Sequence, residues 1–371
     1  MIKNIVRTLL VLALTICAQD ENKVHEFKLI TKVPATEIKS QDKTGTCWSF
    51  ATASFLESEL LRMDKGKYDL SEMFMVRNAW NFKTEKYFRY HGTYNIFMGG
   101  QAHDFLIEYA EHGAIPESIY SGKINGEVKH NHKEMDAIIK SVMSTVVSKK
   151  SLQSKPVWLN IIEATLDSYL GKVPESFEYE GVKYTPKEFG RSLGIDINDY
   201  VELTSYTHHP FYDAIELEIP DNYRGEKYYN IPLDEFMSVI DNAINNGYSL
   251  VWDGSVSKDN FFSKKGYGAV PVEDWDSKSK KPEVEEKIDQ DYRQKYFDSY
   301  EVIDDHLVHM VGIAENQEGT KFYYIKNSWG TKDKGFDGYY YFSEEYVKLR
   351  TIAIMVHKDA IPMAIKLKLD L

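Results

Sequence analysis

From Leu250 onward the apolar residues of this chain stop recurring at helical spacing and fall into short runs, and no other feature constrains the fold as much. Residues 250–252, 307–314, 322–327 and 338–342 are brief, apolar or aromatic, and punctuated by Gly and Asn, which reads as strands. Upstream the spacing is different. Phe50, Ala51, Phe55, Leu60 and Leu61 suit one face of a helix that begins near Cys47 and that Gly66 ends. Further helices are expected over 70–82, over 102–113 between Gly99-Gly100 and Pro116, across 130–170, and over 233–247. A strand at 27–33, a hairpin at 179–184 and a charged, solvated stretch at 276–298 complete the pattern. The expectation is an α+β chain: a helical first half, a middle insertion across about 120–240, and a β-rich second half. A site would lie between the two lobes.

With 371 residues, 43% hydrophobic and 13% aromatic, the chain can bury a large core, as one large domain or two closely packed lobes. Its formal charge of -12 argues against nucleic acid as a partner, since phosphate binding needs clustered Lys and Arg. Lys3 and Arg7 precede an apolar run from Leu9 to Ile16, and Gln19, Asp20, Glu21 and Asn22 follow it. That is the anatomy of a signal peptide over residues 1–18, too short for a membrane span, so a secreted or periplasmic protein is expected. A lipoprotein signal ending at Cys17 is the alternative.

Of the two cysteines, Cys17 falls inside that segment, which leaves Cys47 alone in residues 19–371. An unpaired thiol in an oxidising compartment is either buried or used. Its neighbourhood, Gln41-Asp-Lys-Thr-Gly-Thr-Cys47-Trp-Ser-Phe-Ala51, puts it where a loop becomes a helix. Thr44 or Thr46 can cap that helix, and the helix dipole there favours thiolate and lowers the thiol pKa. Gln41, six residues earlier, can fold back and aim its amide at an oxyanion beside the Cys47 N–H. A plain structural Gln is the competing reading.

The segment resembles the nucleophile region of papain-like cysteine peptidases, in its Gln-to-Cys spacing and its Cys-Trp-Ser-Phe-Ala run. Thr44 stands where that family usually has a disulfide cysteine. Together with Gly99-Gly100-Gln101, Gly113-Ala-Ile-Pro116 and Gly247-Tyr-Ser-Leu-Val-Trp252, this is similar to the bleomycin hydrolase and aminopeptidase C branch. The resemblance implies a two-lobed papain-like fold, peptide-bond hydrolysis through an acyl-enzyme, and no metal or organic cofactor. It also assigns Gly99 and Gly100 to a backbone strip that pairs with substrate, although a helix-start glycine explains them equally well. In that branch the chain's C-terminus lies in the cleft and holds substrate amino ends. The tail from Ile361 to Leu371 shows no match to it.

The base is sought among 11 histidines. Two apolar runs flank a polar loop at 315–320, an antiparallel hairpin in which His309 and Asn327 lie symmetrically about Glu318. Absent a bulge they are cross-strand neighbours on one face. An Asn carbonyl accepting from one imidazole nitrogen turns the other towards the thiol. The Asn327-Ser-Trp-Gly330 run and His309-Met310 resemble the family's orienter and base motifs, with Trp329 covering the pair and bordering the substrate. His306, an odd number of residues from His309, is read as facing away. A metal site built on Asp304, Asp305 and the two histidines is set aside, because ligands on one strand do not converge.

The expectation is a secreted cysteine peptidase with catalytic Cys47, His309, Asn327 and Gln41 acting on peptide or protein, in the aminopeptidase or the endopeptidase mode. A non-catalytic peptide- or glycan-binding protein on the same scaffold is the alternative. A membrane span is not expected, and a homo-oligomer remains open. Only 22 residues separate Ala18 from Gln41, which points to activity without removal of a prosegment. A His309 ring far from the sulfur, or turned away from Asn327, would end the peptidase interpretation.

Overall fold

The structure is a computed structural model that describes residues 24–124, 126–149, 157–256, 259–273, 276, 279 and 281–371. The signal-like residues 1–18, with Cys17, lie outside them.

Ten helices and thirteen strands are assigned among the described residues. The helices are α1 (Cys47–Arg62), α2 (Glu72–Arg89), α3 (Ala102–His112), α4 (Lys133–Ser148), α5 (Val157–Leu170), α6 (Pro186–Leu193), α7 (Leu233–Asn245), α8 (Gln290–Asp298), α9 (Glu344–Arg350) and α10 (Met363–Lys366). The strands are β1 (Lys28–Lys32), β2 (Phe177–Tyr179), β3 (Val182–Tyr184), β4 (Tyr200–Thr204), β5 (Ala214–Glu216), β6 (Lys227–Asn230), β7 (Leu250–Gly254), β8 (Phe261–Phe262), β9 (Tyr267–Gly268), β10 (His306–Glu315), β11 (Lys321–Lys326), β12 (Tyr339–Ser343) and β13 (Thr351–His357).

Helix α1 is buried at every position from Cys47 to Leu60, which is why its sequence is so rich in small and apolar residues. It packs against β10 at the junction of two cores. One, made by α1–α6, reaches across to Val251, Leu307 and Met355, the side chains that β7, β10 and β13 turn towards the helices. The other lies on the opposite face of the sheet, under α7 and α10. Residues 120–240 share both cores: α4, α5 and α6 join the helical one, and β4–β6 extend the sheet.

The sheet runs β5-β6-β4-β13-β7-β10-β11-β12-β9-β8, with β1 added to β10. Central strand β13 is buried at all seven residues, and its unbroken apolar run lacks the alternation that marks a half-exposed strand. The C-terminal tail packs away from the helical lobe. Ile365 and Leu369 enter the core under α7, Asn242 donates to the Ala360 carbonyl (2.7 Å), and Lys368 reaches the Tyr212 hydroxyl (3.1 Å).

Candidate active site

Cys47 is the first residue of α1, and the backbone N–H of Leu307, on β10, lies close enough to its thiol to favour the thiolate. The two lobes therefore meet at this sulfur. Neither threonine caps the helix as anticipated; Thr46 makes no side-chain bond to the first turn, and its hydroxyl pairs with that of Thr44 at 2.6 Å. Gln41 is buried beside them. Its Nε2 donates to the Thr44 carbonyl (2.8 Å), leaving one amide hydrogen, and its Oε1 accepts from Ser328 Oγ (2.6 Å).

Ser328 follows Asn327, so the loop before α1 is tied directly to the end of β11. Asn327 Oδ1 accepts from the Ser328 amide (2.7 Å) and from the Nε2 of His306 (2.9 Å). Trp329 stacks on that imidazole, centroids 4.7 Å apart and planes within 24°. The histidine held against Asn327 is thus His306, and the expectation of His309 is corrected.

The cause is one residue of register. Ala314, Ile313 and Gly312 face Phe322, Tyr323 and Tyr324, the symmetric pairing anticipated; beyond a bulge at Val311, Met310 faces Ile325 and His309 faces Lys326. A bulge inserts an unpaired residue and moves everything past it to the opposite face. Asn327 then shares a face with His306, and His309 turns into the lobe interface. There its ring is fully buried, with Nδ1 2.8 Å from Ser54 Oγ and an edge contact to Phe55. Ser54 lies seven residues down α1 from Cys47, about 10 Å along the axis. Gly312 is the sequence mark of this bulge: a Cβ there would stand 2.5 Å from the Thr31 carbonyl, where β1 crosses.

Burial dominates the electrostatics. It pushes the Cys47 thiol up to about 12, and nearby Asp221, Asp253 and Asp304 push the same way, against the Leu307 N–H. Burial also holds the His306 imidazole down to about 4, although its bond to Asn327 opposes this. Burial thus opposes the thiolate that the helix dipole was expected to favour. A small alkylating reagent should accordingly react with Cys47 slowly at neutral pH. Its rate should climb roughly tenfold per pH unit towards alkaline pH, following the thiolate fraction. A rate already on a plateau at pH 5–6 would contradict this.

The strip at Gly99-Gly100 lies alongside. Trp48 Nε1 donates to the Met98 carbonyl (3.0 Å), and a Cβ on Gly100 would stand 3.2 Å from that indole. A Cβ on Gly99 would fall 1.8 Å from Asp221 Oδ2. Asp221 belongs to a strap, residues 217–225, that leaves the sheet lobe between β5 and β6 and crosses to the helical lobe. Tyr94 Oη donates to the Tyr223 carbonyl (2.9 Å), and Lys86 Nζ bonds it too. Arg224 pairs with Asp104 (3.0 Å) and Glu108 of α3. Sequence reasoning missed Asp221 and Asp253 and weighed Asp304 only as a metal ligand; the three come from segments far apart in the chain.

The model of the Peptidase C1-like family matches residues 98–370, and that of the papain family cysteine proteases matches 25–154. The chain belongs to the Peptidase C1-like family. It is a cysteine-type peptidase. Aminopeptidase C of Lactococcus lactis subsp. cremoris is 24% identical over 383 residues, covering 90% of this chain and 83% of the relative. Cysteine proteinase 1, mitochondrial, of Saccharomyces cerevisiae is 21% identical and covers 93% of this chain and 79% of the relative. Among solved structures, pepw from Lactobacillus rhamnosis superposes with a TM-score of 0.71 at 15% identity, over 92% of this chain and 84% of that one. This likeness bears out the papain-like α+β fold of the peptidase family.

These relatives overturn one expectation. The Saccharomyces cerevisiae relative is named as mitochondrial, so the inference of a secreted or periplasmic protein, or of one lipid-anchored at Cys17, is withdrawn. An apolar run behind two basic residues does not by itself decide the compartment. No helix of the described residues is long and apolar enough to cross a membrane.

Proposed function

We propose that this peptidase is an aminopeptidase in which Cys47 attacks, His306 moves the proton and Asn327 orients His306. The observation that carries the reaction is the hydrogen bond between His306 Nε2 and Asn327 Oδ1, next to the Leu307 amide that touches the thiol. With Nε2 on Asn327, Nδ1 is the nitrogen left to take the thiol proton as sulfur bonds to the substrate carbonyl carbon. The oxyanion is met by the Cys47 N–H and the second amide hydrogen of Gln41. Imidazolium His306 then protonates the departing amine as the C–N bond breaks. Water adds to the thioester, giving its proton to His306, and the acid leaves as the thiol reforms.

The strap supports the exopeptidase mode. It brings Asp221 onto Gly99, in the strip that family resemblance assigns to substrate backbone, and this favours a substrate whose amino end stops there. A thiol-directed peptidyl epoxide should label the protein stoichiometrically, with labelling lost in Cys47→Ala. Anilides of amino acids with a free amine should turn over on the order of 100-fold faster than their N-acetylated forms. Equal cleavage of blocked substrates would refute the aminopeptidase reading, and failure to label would refute the nucleophile.

A further inference from the structure

Building on that reading, we propose that the carboxylates of Asp221, Asp253 and Asp304 form the subsite that binds the substrate's free α-ammonium group. The segment Ile361–Leu371 packs under α7, on the far side of the sheet, and takes no part in this subsite.

Asp253 is the telling residue. It is 3% exposed, and neither carboxylate oxygen meets a hydrogen-bond partner among the described residues. On β7 it stands directly opposite Leu307, whose side chain turns to the helical lobe and whose amide touches the thiol. Its carboxyl therefore faces the cleft floor beside Cys47. Burial first, and then Asp304, Asp221, Asp305 and Glu202, hold its carboxyl well above the usual range, a shift that a bound cation would oppose.

Asp221 approaches from the strap, where its backbone N–H donates to Asp304 Oδ2 at 3.2 Å. The neighbouring cations are committed elsewhere. Lys83 donates to the Phe97 (2.9 Å) and Gly99 carbonyls, Arg224 holds Asp104 and Glu108, and His103 bonds Glu202 at 2.6 Å. Lys83 acts on Asp221 from that position, but no cation is among the groups that act most on Asp253, and a buried carboxylate so placed favours a small cationic guest.

The guest also has a chemical consequence. The same three carboxylates oppose ionisation of Cys47, so an ammonium among them removes that opposition as substrate binds. Anchoring and activation of the nucleophile then share one interaction. It exists only for substrates with an unblocked amino end.

The test uses the full chain, Asp221→Asn and Asp253→Asn, with the anilides of Ala, N-acetyl-Ala and N-acetyl-Lys. In each variant the ratio of kcat/KM for free over acetylated Ala should fall on the order of 100-fold. If wild type discriminates and Asp221→Asn keeps the full ratio, the ammonium subsite is overturned while the aminopeptidase reading stands. If wild type cleaves both Ala substrates alike, the aminopeptidase reading has itself failed. If N-acetyl-Lys is the substrate that loses most, the carboxylates serve a lysine side chain and the proposal falls. Should Asp253→Asn fail to fold, Asp221→Asn on the partly exposed strap decides alone.

Discussion

His306→Ala is expected to lose kcat by on the order of 1000-fold or more, the usual weight of a positioned acid–base group, while folding as wild type does. His309→Ala is expected to do the reverse. Its turnover should stay within about tenfold of wild type, and its stability should drop by about 3 kcal/mol, from a new cavity and lost buried hydrogen bonding. The contrast follows from what each ring touches. His306 meets Asn327 and lies under Trp329 at the cleft, next to the residue whose amide reaches the thiol. His309 is sealed between the lobes among Ser54, Phe55 and Lys326, where burial holds its imidazole well below the usual range and keeps it neutral. Ser54 also accepts from Lys326 Nζ (2.7 Å), which bonds the Thr36 hydroxyl as well (2.9 Å), so removing the ring disturbs a connected polar network. Steady-state kinetics and urea unfolding of the two variants, side by side, check both halves. Loss of turnover in His309→Ala with full activity in His306→Ala would reverse the assignment.

That the wrong histidine is the natural reading of the sequence has a physical cause. Strand period makes parity decisive, and one extra residue at Val311 exchanges the two faces for everything nearer Asn327. Helical segments are more forgiving: α1, α3 and α7 begin and end within a few residues of where periodicity and Gly66, Gly113 and Gly247 put them. Cys47 and Gln41 are legible because they belong to one continuous segment whose geometry a helix start dictates. What opposes ionisation of Cys47 is not legible for the opposite reason, since a helix terminus is a local feature whereas burial and three aspartates are not. Strand β13 went unseen because it follows α9 without an intervening residue, so no Gly or Asn marks where it begins. The strap is likewise invisible in the sequence. Nothing within residues 217–225 tells that they cross to α2 and α3.

The strap yields the second large effect, through its latch. Arg224→Met is expected to destabilise the protein by about 3–5 kcal/mol, because it strands two buried carboxylates. The Arg224 side chain is 6% exposed, and those of Asp104 and Glu108 are 0% and 1% exposed. Burial already raises Glu108 to about 7 against the pull of Arg224. Without the guanidinium it stays protonated to still higher pH, so the deficit should be largest in alkaline buffer and shrink as pH falls and the stranded carboxyls take up protons. Untethered, the strap no longer holds Asp221 on Gly99, and a blocked peptide can extend past it. Cleavage of N-acetylated peptides should therefore rise relative to free-amine substrates. A variant that loses stability yet still rejects acetylated peptides as wild type does would show that something other than the strap closes that end of the cleft. The latch separates two jobs that the fold has joined: Arg224 contributes stability by pairing α3 with the strap, and by the same contact it sets where a substrate chain has to begin.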